Sequence, residues 1–259
     1  MTLIRQPSVQ SPGAWGPAES KSLRAGLAQI GLNATPAQVA KLQTYARLLL
    51  KWNRTYNLLG ATTPQAVIDS HLLDSLATMP VLERWLPAGN PPLLDIGSGA
   101  GLPGIVLAIM LEQMPIALVE PIGKKTAFLR QAVAQCGLPL ARVLEGRVED
   151  LDLSQDLPQA TTKGSRAAPH FICRAFTSLE RFAALCTPHL AEGSLLFAMK
   201  AARVGEELAQ LNNSVVSSSI EVLAVEPLRT IEKDVQRNLV VMRAAALPPS
   251  WDTTRPGHR

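Results

Sequence analysis

Apolar positions recur in two rhythms along this chain. Over residues 20 to 87 the spacing is helical: Leu23, Leu27 and Ile30 share a face that Gly31 closes, Val39, Leu42, Ala46 and Leu49 share another, and Ile68, Leu72, Leu76 and Met79 a third. Thr35-Pro36 and Thr63-Pro64 each supply an N-cap followed by proline at the first helical position. Residues 20–87 are therefore expected to form a helical preface. From Pro91 the rhythm changes to short apolar runs: LLDIG (93–97), IALVE (116–120), RVLEG (142–146), HFICRA (170–175) and SLLFAMK (194–200). The first two are typical of strands buried on both faces. Helix-like segments, from about Pro103 to Met114 and KKTAFLRQAVAQCG (124–137), separate the first three runs, and helical stretches separate the last two. This alternation predicts an α/β fold with a mostly parallel, doubly wound sheet. IEVLAVEPL (220–228) and RNLVVMRAA (237–245), joined by a short polar link, break the pattern and predict a C-terminal antiparallel pair, so the main domain spans 88–246.

Residues 1–19, rich in Pro, Gly and Ser, read as a disordered extension, 158–168 as an exposed insertion and 247–259 as a flexible tail. With 47% hydrophobic and 18% charged residues, the 259-residue chain can bury a large core. The net charge of +4 leans toward a polyanionic partner but is small for this length. Cys136, Cys173 and Cys186 form no CxxC pair, and the four histidines show no ligand spacing, so neither a disulfide framework nor a metal site is expected. Cysteine usage fits a cytoplasmic setting. The N-terminus lacks the apolar stretch of a secretory signal, and no run reaches the roughly 18 apolar residues of a membrane span, so a soluble protein without a membrane partner is expected. No exposed apolar stripe calls for an oligomer, which leaves a monomer.

The chemistry centres on LLDIGSGAGLPG (93–104), with four glycines in eight positions. Gly99, Gly101 and Gly104 match G-x-G-x-x-G, which alone suggests a dinucleotide on a helix N-terminus. Glu120, ending the next strand, can accept both hydroxyls of a ribose, which fits NAD and S-adenosylmethionine alike. Asp95 favours the second ligand. A carboxylate at the strand mouth repels a pyrophosphate and attracts the ammonium and sulfonium of the methyl donor.

KWNRTYNLL (51–59), HLLDS (71–75), the glycine loop, GKKTAFLR (123–130), RVED (147–150), CRAF (173–176), Lys200 and RNLV (237–240) occur in the order and spacing of the RsmG family. This family, also called glucose-inhibited division protein B, is the bacterial 16S rRNA (guanine-N7) methyltransferase. The resemblance covers roughly residues 20–245. It implies a Rossmann-like class I methyltransferase fold, S-adenosylmethionine as cofactor, and N7 of one guanine in the 530 loop of 16S rRNA, or of a small ribosomal subunit precursor, as target. Carried over by motif, Asp95, Gly97, Ser98, Gly99, Gly101, Leu102, Gly104, Glu120, Val148, Glu149 and Arg174 are the expected cofactor-binding residues. Arg174 would lie beside the donor and orient the guanine. Two departures stand out: Asn238 falls where histidine is common, and residues 158–168 are longer than usual.

Guanine N7 has a free lone pair at neutral pH, so positioning rather than a general base should supply most of the rate. The chain agrees: CRAF stands where an N/D-P-P-Y/F run would hold an exocyclic amine. Cys173 lies inside an apolar run and reads as a small buried hydrophobe rather than a nucleophile. An arginine in such a strand is costly unless paired, so Arg174 is unlike a surface charge. Lys124, Lys125, Arg130, Arg147, Lys200 and Arg237 are candidates for a phosphate-binding face, against the alternative of a solvated surface. His71, Asp74 and Ser75 share one helix within five residues, so they cannot surround a carbonyl as a hydrolytic triad must. Packing or substrate-side contacts suit them better. Trp52 reads as a core anchor and Asn57 as a turn residue. A small-molecule methyltransferase, an NAD-dependent oxidoreductase and a non-catalytic RNA-binding module are the rivals, and the exposed Lys and Arg of the preface weigh against the closed apolar cap of the first.

Overall fold

The computed structural model of the chain describes residues 15–60, 63–153, 161–162, 165–166, 168–202, 204–232 and 235–245. The expected tail and the first fourteen residues of the expected extension lie outside the described residues, as does most of the 158–168 insertion.

The preface begins earlier than its apolar rhythm does. Helix α1 spans Pro17–Gln29, and Trp15 packs against the core, so residues 15–19 are not part of an extension. Proline at the first position and the Glu19 carboxylate, which accepts the Gly16 amide at 2.8 Å, start the helix before any apolar residue of its stripe. Helix α2 (Pro36–Tyr56) opens on a capping box: the Thr35 hydroxyl accepts the Gln38 amide at 3.2 Å and the Gln38 side chain accepts the Thr35 amide at 2.9 Å. It ends at Asn57 in a left-handed conformation (φ 46°), the turn role expected of that residue. The third stripe is not one regular helix. It divides into α3 (Pro64–Val67), a π-helical stretch (Ile68–Leu73), α4 (Asp74–Leu76) and, after a turn, α5 (Met79–Trp85).

Strands β1 (Leu93–Ile96), β2 (Ile116–Glu120) and β3 (Ala141–Glu145) are followed by a small hairpin, β4 (Thr161–Thr162) with β5 (Ser165–Arg166), and then by β6 (His170–Arg174), β7 (Leu195–Ala201), β8 (Ile220–Leu228) and β9 (Arg237–Ala244). The main sheet runs β3-β2-β1-β6-β7-β9-β8, parallel except for β9, which pairs antiparallel with both its neighbours. Its residues alternate between two cores. Leu93, Ile116, Leu118, Ile172 and Phe197 face the preface together with α6 (Gly104–Met110) and α7 (Gly123–Gln135). Leu94, Ala117, Val119, Phe171 and Ala198 face α8 (Leu179–Cys186) and α9 (Gly205–Asn212). The preface thus shares one core with the sheet, each buried Leu or Phe contributing roughly 1.5–3 kcal/mol. This is the Rossmann-like, class I methyltransferase architecture expected, with its antiparallel C-terminal pair and N-terminal helices. α9 was not legible as a separate helix. Because β2 and β6 flank β1 on opposite sides, the connections leaving β1 and β6 diverge and open a crevice at the carboxyl ends.

Candidate active site

The glycine loop lies at that crevice, and its four glycines do different work. Gly97 has φ +69°, and a Cβ there would come within 2.2 Å of the Phe176 ring. Gly104 is dictated by packing: its Cβ would meet Leu118 at 2.2 Å and the Asp95 carboxylate at 2.7 Å. Four of the residues expected to touch a ligand are instead internal. Asp95 is fully buried rather than at the surface of the strand mouth. Its Oδ2 accepts the Gly104 amide at 2.9 Å, while Oδ1 is buried without a hydrogen-bond partner. Burial pushes its carboxyl up to about 7, against the lowering effect of the Gly104 amide. Ser98 is buried too, its hydroxyl donating to the Asp95 carbonyl at 2.8 Å. Leu102 and Gly101 also turn to the core side, and Tyr45 from α2 donates its hydroxyl to the Ala100 carbonyl, tying the preface to the loop. Glu120 clasps the same loop: Oε2 accepts the Gly99 amide at 2.8 Å and Oε1 the Ile122 amide at 3.0 Å. Each oxygen keeps a second lone pair for a hydroxyl.

Two cavities adjoin here. One, of about 240 Å³, is bordered by Ile96, Gly97, Val119 and Pro121 on one side and by Gly146, Arg147, Val148 and Glu149 on the other. Val148–Asp150 form a 3-10 turn, and His189 Nε2 lies 2.6 Å from the Val148 carbonyl, fixing it from the α8 side. The other cavity, of about 480 Å³, is lined by Asp74, Arg174, Met199, Lys200 and Arg237. Phe176 and Thr177 line both, so they form the partition. Neither residue was singled out from the sequence. The available signal was CRAF itself, an aromatic residue just past a strand end.

The cations prove more occupied than their positions suggested. The Arg174 guanidinium points into the preface: Nη1 donates to the His71 carbonyl at 2.9 Å and to the Ser75 hydroxyl at 2.6 Å, Nη2 donates to the Ser70 carbonyl at 2.9 Å and lies 3.0 Å from His71 Nδ1, and Nε is 3.5 Å from Asp74. Its donors are thereby used, so it holds the π-helical stretch instead of being free to orient a base. His71 is correspondingly neutral: burial, then the neighbouring Arg174 charge, lowers its pKa to about 4. Asp74 is shared, with Oδ1 accepting Arg237 Nε at 3.1 Å; burial raises its carboxyl while both arginines oppose the rise. Lys200 is paired with Glu207 at 2.7 Å and donates to the Thr177 carbonyl, while Glu207 also accepts the Leu179 amide at 2.9 Å. Arg130 is paired with Glu145 at 2.8 Å, and Arg147 lies 3.9 Å from Glu149. Lys124, Lys125 and Arg130 are not among the lining residues of either cavity. Asn238 donates weakly to the Ala201 carbonyl (3.4 Å) beside Lys200. Trp52 is the expected anchor, edge-on to Phe128 at 5.6 Å with its indole N–H on Gln131. Cys173 is fully buried, and burial raises its thiol above the range of a thiolate nucleophile.

Comparison with known proteins gives this arrangement its family. A profile described as GidB, rRNA small subunit methyltransferase G, matches residues 38–240. The curated ribosomal RNA small subunit methyltransferase G of Polynucleobacter asymbioticus is 38% identical over 220 residues, covering 85% of this chain and 93% of its own. That of Chromobacterium violaceum is 38% identical as well, over 85% of this chain and 95% of its own. Among solved structures, a mutant of MtNAS in complex with S-adenosylmethionine is 12% identical with a TM-score of 0.49, covering 87% of this chain and 84% of that one. With most of its described residues matched by that profile, the chain belongs to the rRNA small subunit methyltransferase G family.

Proposed function

We propose that the protein transfers the methyl group of S-adenosylmethionine to N7 of a guanine in the 530 loop of 16S rRNA. The observation that carries this reading is the pair of cavities meeting at Phe176 and Thr177: a small one bordered by Gly97 and the Arg147–Glu149 turn, and a larger, cation-lined one beside it. The smaller fits a nucleoside. Gly99 has no atom nearer than 3.7 Å to a built Cβ, so its backbone is open to close approach. Val148 and Glu149 would hold the adenine, Glu120 the ribose hydroxyls and the Gly97–Gly99 backbone the amino-acid end. Asp95, buried with an unpartnered oxygen, would supply the negative field that selects a cation over a pyrophosphate.

When bound, the donor supplies an already activated methyl group. The residues of the chain need only exclude water, align the acceptor and hold the base. Among the described residues that line the larger cavity none is set up as a general base: the carboxylate, Asp74, is tied to Arg237, and the nearby His71, outside the lining, is engaged with Arg174. That suits guanine N7, which has no proton to lose. Arg237, partly exposed at the rim, would contact the RNA backbone, with Arg147, Lys124 and Lys125 as outer contacts. A cytoplasmic monomer acting on 16S rRNA, free or in a small-subunit precursor, completes the proposal. The test is a primer-extension map of N7-methylguanosine in 16S rRNA, after borohydride and aniline cleavage, from cells with and without the protein. Loss of the 530-loop stop without the protein supports the reading, and an unchanged stop removes it.

A further inference from the structure

We infer that Phe176 is the aromatic face on which the target base lies during transfer, so that the base, positively charged once methylated, is stabilised by the ring. This rests on the guanine-N7 reading and goes beyond it by assigning the residue that holds the acceptor.

Four observations converge on this side chain. It is 38% exposed, unusual for a phenylalanine directly after a buried strand. The other exposed aromatic among the described residues, Tyr56, lies tilted against Trp52 with ring centroids 4.9 Å apart, whereas Phe176 has no ring partner among them. It lines the larger cavity, where the rest of the lining, Met199 and the alanines apart, is polar or charged, so it is the one flat apolar surface there. Finally, it is turned out by Ala175 at φ +48°, a left-handed conformation that costs a residue bearing a Cβ on the order of 1 kcal/mol and persists where the surroundings enforce it.

Those surroundings are built. Before Phe176, Arg174 is locked into the preface by its hydrogen bonds to residues 70–75. After it, Thr177 is held through its carbonyl by Lys200, which Glu207 orients, and Ser178 caps α8. The two cations that looked like substrate contacts instead fix both ends of the segment that carries the ring. A platform held this way loses little freedom on receiving a base.

The chemistry asks for an aromatic at this point. N7 gives its lone pair to the methyl carbon, the carbon–sulfur pair returns to sulfur as a neutral thioether, and the positive charge passes from sulfonium to purine with no proton moved. A π face attracts a cationic ring more than a neutral one. The gain therefore grows along the reaction and appears in kcat as well as in binding.

The test compares wild type with Phe176→Leu and Phe176→Tyr on 16S rRNA-containing substrate, alongside S-adenosylhomocysteine affinity by calorimetry and melting temperature. Phe176→Leu keeps an apolar side chain without the π face and is expected to lose about 10- to 100-fold in kcat/KM, much of it in kcat. Phe176→Tyr is expected to restore most of that loss, with melting temperature close to wild type in both variants and thioether-nucleoside affinity, to which the same ring contributes a wall, falling several-fold less than kcat/KM. Methylated and unmethylated RNA fragments should also differ in affinity for wild type, and that ratio should shrink in Phe176→Leu. Unchanged kinetics in Phe176→Leu, an equal loss in Phe176→Tyr, or a parallel fall in cofactor affinity would each overturn the assignment. A wild-type enzyme that leaves guanine N7 untouched in the same assay would instead remove the functional reading.

Discussion

At the residue scale the site is governed by what a single Cβ or a single charge would do. Gly97 combines a positive φ with the Phe176 ring 2.2 Å from a built Cβ, so Gly97→Ala meets strain and overlap together. We expect a loss of about 1–3 kcal/mol in chemical denaturation and a matching fall in cofactor affinity. Adding Phe176→Ala should relieve the overlap but not the strain, so a double-mutant cycle should show part of the loss recovered and no more. Asp95 sets a pH dependence. Its folded value of about 7 lies above the ordinary 3.8, so between about pH 4 and 7 the native state holds a proton that the unfolded chain has released. Its stabilising contribution is present at low pH and lost as pH rises through 7. Asp95→Asn keeps an acceptor for the Gly104 amide and removes the charge, so it should raise the melting temperature more at pH 8 than at pH 5, while weakening the cofactor. An equal rise at both pH values would show that the carboxyl does not titrate there. The glycine loop, Glu120 and the Val148–Glu149 turn were legible in the sequence because motif spacing fixes them relative to strand ends. The burial of Asp95 was not, because it depends on Gly104 folding back nine residues later.

At the scale of elements, the segment from Pro64 to Leu76 decides how the preface meets the sheet. Its stripe of Ile68, Leu72 and Leu76 was legible, since all three are buried, but its π-helical stretch was not. A π-helical stretch is rare and depends on its surroundings, and here the Ser70 and His71 carbonyls both accept from an arginine about a hundred residues away. No local pattern could announce that. The same limit explains Lys200, whose partner Glu207 belongs to a helix that the apolar rhythm did not reveal. By contrast, the runs that became β1 and β2 were legible within a residue or so, because burial on both faces demands continuous apolar sequence, and the partly exposed β8–β9 pair was legible from the polar link between its two runs. Arg174→Ala would take the guanidinium away from two carbonyls, Ser75 and Asp74 in a buried setting, and we expect a loss of about 3–5 kcal/mol. Amide exchange should accelerate first in residues 68–76. Arg174→Lys should recover little, since an ammonium cannot span that fork of acceptors. Exchange that rises evenly over the whole chain would argue against a local clamp.

At the scale of the whole molecule the question is how a chain with a net charge of only +4 grips a polyanion. Position in the fold matters more than the total. Arg130 and Lys200 are neutralised by Glu145 and Glu207, and Arg174 is turned inward. Asp74, however, is shared between Arg174 and Arg237, which leaves one positive charge uncompensated at the larger cavity. Arg237 carries it outward, its side chain 33% exposed against 11% for Lys200. RNA affinity measured against salt concentration should separate these roles. Every phosphate that a side chain neutralises adds about 0.7–0.9 to the steepness of the log–log plot, because one condensed counterion is released. Arg237→Ala should therefore weaken binding and flatten the slope by about that amount. Lys200→Ala should leave the slope unchanged and act through the Thr177 carbonyl and the Phe176 loop, lowering kcat without altering the salt dependence. A slope that responds to Lys200 and not to Arg237 would mean that the Glu207 pair opens on RNA, and the charge would then have to be reassigned from β9 to β7.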